Sequence, residues 1–93
     1  MPEQVLRDDA RNRYELIIDG RVVGIADFAI AGSAMVLPHT EIDPDRRGQG
    51  LGAVLVKGVL DDARARGIDV VPTCWYVREY IAQHPEEADL LAS

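Results

Sequence analysis

The stretch Asp43-Pro44-Asp45-Arg46-Arg47-Gly48-Gln49-Gly50-Leu51-Gly52 decides how this chain is read. It follows a strand-like run and opens a helix-like one. Glycines alternate at 48, 50 and 52, directly after two arginines. Backbone without a Cβ reaches φ > 0 and lets a ligand come close. A helix starting near Leu51 leaves its first N–H groups without intrahelical partners. Together these features make a cradle for an anion such as phosphate or diphosphate. The competing reading is a tight strand–helix connection that holds nothing.

Working outward, the flanks support the cradle. Tyr14, Leu16 and Ile18 recur at every second position, as in a strand. Asp19-Gly20 supplies the residues of a tight hairpin turn. The run 21–30 is rich in Val, Ile and Phe and reads as the partner strand. Ala31-Gly32-Ser33 is a second turn. The run 34–42 reads as a third strand, with Met35, Leu37, His39 and Glu41 on one face by alternation. Pro38 inside it demands a bulge or an edge position. Downstream, Leu51, Val54, Leu55, Val59, Leu60 and Ala63 recur at helical spacing, and Gly67 is a helix stop. The run 68–71 is a short buried strand, parallel to the third because a helix crosses between them. Thr73 is placed to cap a second helix that runs to about residue 83. Pro85 opens a short acidic tail, and residues up to about 12 read as polar and frayed. The order is β-β-β-α-β-α. It implies a single α+β domain over 1–93, with a mixed, mostly antiparallel sheet and two helices.

Composition bounds the function. The chain has 93 residues, 47% of them hydrophobic, and a formal charge of −6. That apolar content suits a folded domain. The acidic balance disfavours nucleic acid, which is held by neutralising phosphates with Lys and Arg, and it suits a basic acceptor such as an amine. It also makes Arg46-Arg47 stand out. No apolar run is long enough to span a bilayer, and Met1-Pro2-Glu3-Gln4 lacks an export pattern, so a cytoplasmic location is expected. One cysteine and two histidines are too few for a closed zinc site, and no metal is expected.

Order and loop together resemble the GNAT superfamily of acyl-CoA-dependent N-acetyltransferases. Its phosphate signature, Gln/Arg-x-x-Gly-x-Gly/Ala, is met by Arg47-Gly48-Gln49-Gly50-Leu51-Gly52. The closer likeness is to short, single-domain members with His-Thr-Glu before the loop and Pro-x-Cys-x-Tyr after the last strand. Here these are His39-Thr40-Glu41 and Pro72-Thr73-Cys74-Trp75-Tyr76. The resemblance covers about residues 14–84 and implies a truncated GNAT-like fold that binds acetyl-CoA as acyl donor. It assigns the loop amides of Gly48, Gln49, Gly50, Leu51, Gly52 and Ala53 to the diphosphate, with charge added by Arg46 and Arg47. The pantetheine arm is expected between Glu41-Ile42 and Val70-Val71. The usual N-terminal helices that shape the acceptor site are missing, which leaves the amine acceptor open and allows for a homodimer or a protein partner.

Four side chains are candidates for the chemistry. Cys74, at the start of a helix, is placed where partial positive charge lowers a thiol pKa. Its thiolate can accept the acetyl group; the alternative is a cysteine that simply packs. Glu41 and His39 can take a proton from an ammonium nucleophile, or be an exposed carboxylate and a structural histidine. Tyr76 and Tyr80 lie one helical turn apart and can both face the cleft. The family's tyrosine on the last helix, which protonates the leaving thiolate, is carried over to Tyr80. Trp75 either covers the cleft, meets a partner, or packs. Two functions follow: an acetyltransferase acting on an amine, or a non-catalytic module that binds coenzyme A and reports it to a protein.

Overall fold

The structure, a computed structural model, describes residues 3–92. Its elements are β1 (Gln4–Asp8), β2 (Arg13–Ile18), β3 (Arg21–Ala31), β4 (Ala34–Ile42), α1 (Leu51–Arg66), β5 (Asp69–Pro72) and α2 (Trp75–Gln83). A 3₁₀ turn over Pro44–Arg46 precedes α1, and another over Pro85–Leu90 follows α2. The strands form one sheet in the order β1-β2-β3-β4-β5. Pairing is antiparallel from β1 to β4 and parallel between β4 and β5. This is the mixed α+β architecture the sequence implies, with one strand added.

The addition is β1, which pairs with β2 from Gln4↔Ile17 to Asp8↔Arg13. The expectation of a frayed start is therefore wrong from Gln4 onward; Met1 and Pro2 lie outside the described residues. Side chains hold the strand. Arg7 donates to the Tyr14 hydroxyl at 3.3 Å, and its guanidinium lies 4.3 Å from the Phe28 ring centre. Val5 packs on the core, beneath Gly58 of α1.

Both helices cover the same face of the sheet. Tyr14, Leu16, Ala26, Met35, Leu37 and Val70 from the strands share one core with Leu55, Val56, Val59 and Leu60 of α1 and Val77 and Ile81 of α2. Among the described residues the other face carries no helix. The hairpin Asp19-Gly20 has positive φ at both residues, as its tight turn requires.

Pro38 does produce a bulge. Opposite β3, the register jumps from Asp27↔His39 to Ala29↔Val36, so two residues of β4 face one of β3. A bulge reverses the parity of everything beyond it. Met35 and Leu37 point into the core, but Thr40 and Ile42 follow them there, level with Ala26 and Gly24. His39 and Glu41 project from the uncovered face, level with Asp27 and Ile25. The simple alternation that put Met35, Leu37, His39 and Glu41 on one face is thus corrected.

Candidate functional site

The sheet forks where two prolines meet. β4 and β5 pair from Ala34↔Asp69 to Leu37↔Pro72 and no further. Neither Pro38 nor Pro72 has an N–H to extend the ladder. The chain after β5 makes one more contact, from the Cys74 amide to the Leu37 carbonyl at 3.0 Å, and then turns into α2. β4 continues alone. The Asp43 amide bonds to Val23 of β3 at 2.8 Å. Strand amides alternate in direction, so those of Ile42 and Thr40 face the fork.

A cavity of about 660 Å³ occupies this fork. Pro38 to Ile42 line one side and Thr73 to Tyr76 the other. Its floor is Arg46, Arg47, Gly48, Gly50, Leu51 and Gly52. Ten of the expected site residues thus surround one space: His39, Glu41, Ile42, Cys74 and these six. Gln49 and Ala53 are not part of the wall. Val70 and Val71 are still paired with β4, so the gap expected beside them opens one step later, beside Thr73 and Cys74.

Tyr80 is not brought to the cavity. Helical geometry puts Val77, Tyr80 and Ile81 on the buried side of α2. Tyr80 stacks on His84 with ring centres 4.0 Å apart, beside Lys57 and Glu87. Tyr76 takes the expected place instead. Its hydroxyl packs on Gly52, where an added Cβ would lie 2.6 Å from the oxygen.

The loop has the conformation its glycines predict. Gly48 and Gly50 have φ of 84° and 74°. Gly50 is the N-cap of α1 and supplies no side-chain cap; the first turn holds no acidic residue. The opening amides of α1 are thus free to donate outward.

Cys74 is the N-cap of α2, one residue before the helix starts at Trp75. The expected cap, Thr73, lies outside that position. No side-chain capping bond of ordinary geometry forms, yet the sulfur is surrounded by donors. The Thr40 hydroxyl is 3.6 Å from Sγ. Burial alone would push the thiol pKa up; the Val77 amide, the Thr40 hydroxyl and the Tyr76 and Thr40 amides outweigh it, and the net shift is downward. Thr40 is the residue that sequence reasoning missed. The signal was present in Pro38, because a bulge there turns Thr40 inward.

His39 and Glu41 form a pair on the outer side of the fork, 3.6 Å from Nε2 to Oε1, with side chains 53% and 60% exposed. Among the described residues no group of three or more His, Cys, Asp or Glu is placed to hold a metal.

A mixed sheet split beside a glycine-opened crossover helix defines the class of fold, an α+β domain with a cleft between two parallel strands. The chain belongs to the GCN5-related N-acetyl-transferase family, whose sequence pattern matches residues 13–90. It is similar to Protein NATD1 of Gallus gallus, 31% identical over 88 residues covering 90% of this chain and 78% of that protein. The Mus musculus protein of the same name is 30% identical over the same shares. Among solved structures, a GCN5-like putative N-acetyltransferase from Staphylococcus aureus superposes over 97% of this chain and 88% of its own, with a TM-score of 0.72 at 15% identity. N-acetylglutamate synthase from Neisseria gonorrhoeae, complexed with coenzyme A and N-acetyl-glutamate, gives a TM-score of 0.62 at 20% identity; 86% of this chain covers only 22% of that one. The ribosomal-protein-S18-alanine N-acetyltransferase from Escherichia coli gives 0.61 at 22% identity, over 71% of this chain and 43% of the enzyme. At these identities the structural likeness speaks for the fold.

Proposed function

We propose that this domain binds acetyl-CoA in the fork between β4 and β5 and transfers its acetyl group to an amine. One observation carries the reading: the glycine loop, the free edge of β4 and Cys74 line a single cavity. In this reading the amides from Gly48 to Ala53 donate to the diphosphate, and Arg46 and Arg47 offset its charge. The pantetheine arm lies along the unpaired edge of β4, where the Thr40 and Ile42 backbone polarises the thioester carbonyl. The Cys74 thiolate attacks that carbonyl, a carbon–sulfur bond forms on Cys74, and coenzyme A leaves as a thiolate that takes up a proton. Glu41 or His39 removes a proton from the ammonium, the amine attacks the acetyl-cysteine, the attacking nitrogen gives up its second proton to solvent as the amide forms, and the Cys74 thiolate is released.

Two measurements test the halves separately. Titration calorimetry with acetyl-CoA should give a Kd below about 100 µM, about −5.5 kcal/mol; silence at that concentration removes the donor site. Intact-mass analysis after acetyl-CoA treatment should show one acetyl group on the wild type and none on Cys74→Ala. That variant should lose about two orders of magnitude or more in kcat. An unacylated wild type and a fully active variant would exclude the covalent step and leave direct transfer.

The open outer side of the fork favours a second reading, a coenzyme A-binding module that presents its ligand to a protein. Binding without turnover across an amine panel would select it.

A further inference from the structure

Tyr80, turned away from the fork, carries a hydroxyl that the fold does not use. The residue is 8% exposed. Buried polar atoms are normally hydrogen-bonded, and among the described residues every fully enclosed side-chain N or O atom has a partner. The Tyr80 hydroxyl has none there, so it must open onto space. That space is a second cavity of about 430 Å³, walled by α1, α2 and the 3₁₀ turn over Pro85–Leu90. Burial first, then Glu87, raise the pKa of this phenol, and Lys57, Asp61 and Glu86 act on it as well. All four of these side chains are walls of the cavity, which gives the direction in which the hydroxyl points. The cavity shares no lining residue with the fork.

The walls decide the sign of the missing partner. Lys57 is held by Asp61 at 3.3 Å. Arg64 is held by Glu87 at 3.0 Å and by Asp89 at 2.7 Å. Both cations of the cavity are thus matched by carboxylates, and neither is left for an anion. Acceptors remain. Glu86 has no cation among the described ion pairs. Glu87 is 5% exposed, and Arg64 uses only its Oε1. His84 donates from Nδ1 to the Tyr80 carbonyl at 2.7 Å. A carbonyl only accepts, so the proton sits on Nδ1, and Nε2 of the neutral ring is a further acceptor.

A surplus of acceptors and negative charge calls for a cation that brings its own donors. Among the described residues no three His, Cys, Asp or Glu converge as metal ligands, which points to an organic ammonium. The Tyr80 and His84 rings, stacked with centres 4.0 Å apart and planes at 14°, offer an apolar wall beside the acceptors. The volume lies in the range of small-molecule sites, roughly 300–1,000 Å³.

We propose that this second cavity binds a small primary amine in its ammonium form, with its N–H donors on the Tyr80 hydroxyl, Glu87 Oε2 and the Glu86 carboxylate, and its carbon stem against the Tyr80–His84 stack. The site stands apart from the acetyl-transfer reading, because it needs neither the fork nor acetyl-CoA.

The test titrates n-butylammonium chloride into the isotope-labelled full chain near neutral pH and follows the backbone amides by NMR. Expected are saturable shifts centred on residues 57–64 and 80–87, with a Kd of about 1 mM. Binding should weaken with added salt, and n-butanol, the same stem without the charge, should bind at least about tenfold more weakly. Tyr80→Phe and Glu86→Gln should each lower the affinity about fivefold. Tyr80→Phe should nevertheless melt no lower than wild type, since its hydroxyl has no bond within the protein to lose. A hydroxyl with a structural role would give the opposite pair of results, a lower Tm and unchanged affinity. Shifts that fail to saturate or that centre on the fork, an equal response to n-butanol, or full affinity in Tyr80→Phe would each overturn the site.

Discussion

At the scale of single residues, Cys74 shows how a small shift in a neighbour's parity changes chemistry. The thiol is partly buried, which by itself disfavours thiolate. It is nevertheless held below the usual thiol range, because the Val77 amide, the Thr40 hydroxyl and two further amides favour the anion. A depressed pKa means that thiolate is populated at lower pH than for a free cysteine. The rate of iodoacetamide alkylation against pH should therefore have its midpoint below about 8.5. Thr40→Val, which removes the hydroxyl and keeps the shape, should move that midpoint up. A wild-type midpoint at or above the free value would contradict this account of the pocket. The cysteine itself was legible in the sequence, as the residue between a short strand and a helix. Its partner was not, because alternation was continued through Pro38 although a bulge was expected there. One inserted residue exchanged Thr40 for His39 and Glu41 at the inner face.

Among elements, the two packed glycines of α1 report what the helix touches. Gly52, in its first turn, lies against the Tyr76 hydroxyl. Gly52→Ala improves helix propensity by about 1 kcal/mol, yet its methyl would push the tyrosine ring out of the cavity wall. The variant should melt no lower than wild type and bind acetyl-CoA about tenfold more weakly, seen by thermal unfolding and calorimetry together. Gly58 faces β1: an added Cβ would lie 2.5 Å from Cγ2 and 2.6 Å from Cβ of Val5. A Cβ is fixed to the backbone, so the strand must move. Overpacking of this kind costs about 1–3 kcal/mol and outweighs the propensity gain. Gly58→Ala should lose about 1 kcal/mol net, lowering Tm by about 4–8 °C. The sequence made α1 and its stop at Gly67 plain, because six apolar positions share its helical face. It hid β1, whose alternation is masked by Arg7 and Asp8. Arg7 belongs to a network that only the folded sheet brings together, whereas Asp8 pairs locally with Arg11. Tyr80 was misplaced for a related reason: its turn-spacing from Tyr76 was correct, but the core claims that side of α2.

For the whole molecule, one polar network ties the sheet to the covering helix. The Tyr14 hydroxyl donates to Asp62 of α1 at 2.7 Å and accepts from Arg7 of β1. Arg66 holds the same Asp62 oxygen at 2.7 Å. Edge strand, second strand and helix thus meet at one phenol, which is 1% exposed. Burial first, then the Asp62 carboxylate, push its pKa up to about 12, against the pull of Arg7. The native state therefore holds this proton more tightly than the unfolded chain does, where the value is about 10. The resulting stabilisation is complete below pH 10 and is lost as pH rises through about 12, amounting to about 3 kcal/mol at most. Denaturant unfolding should show stability falling across that window in the wild type. Tyr14→Phe should start lower by about 1–2 kcal/mol, from the lost hydrogen bonds, and should lack this part of the alkaline fall. Phenolate absorbance supplies the independent check: of the three tyrosines, the one whose signal disappears in Tyr14→Phe should titrate near 12. If instead that signal is found near 10, the phenol is not buried against Asp62, and the anchoring of β1 to α1 must be assigned to other contacts.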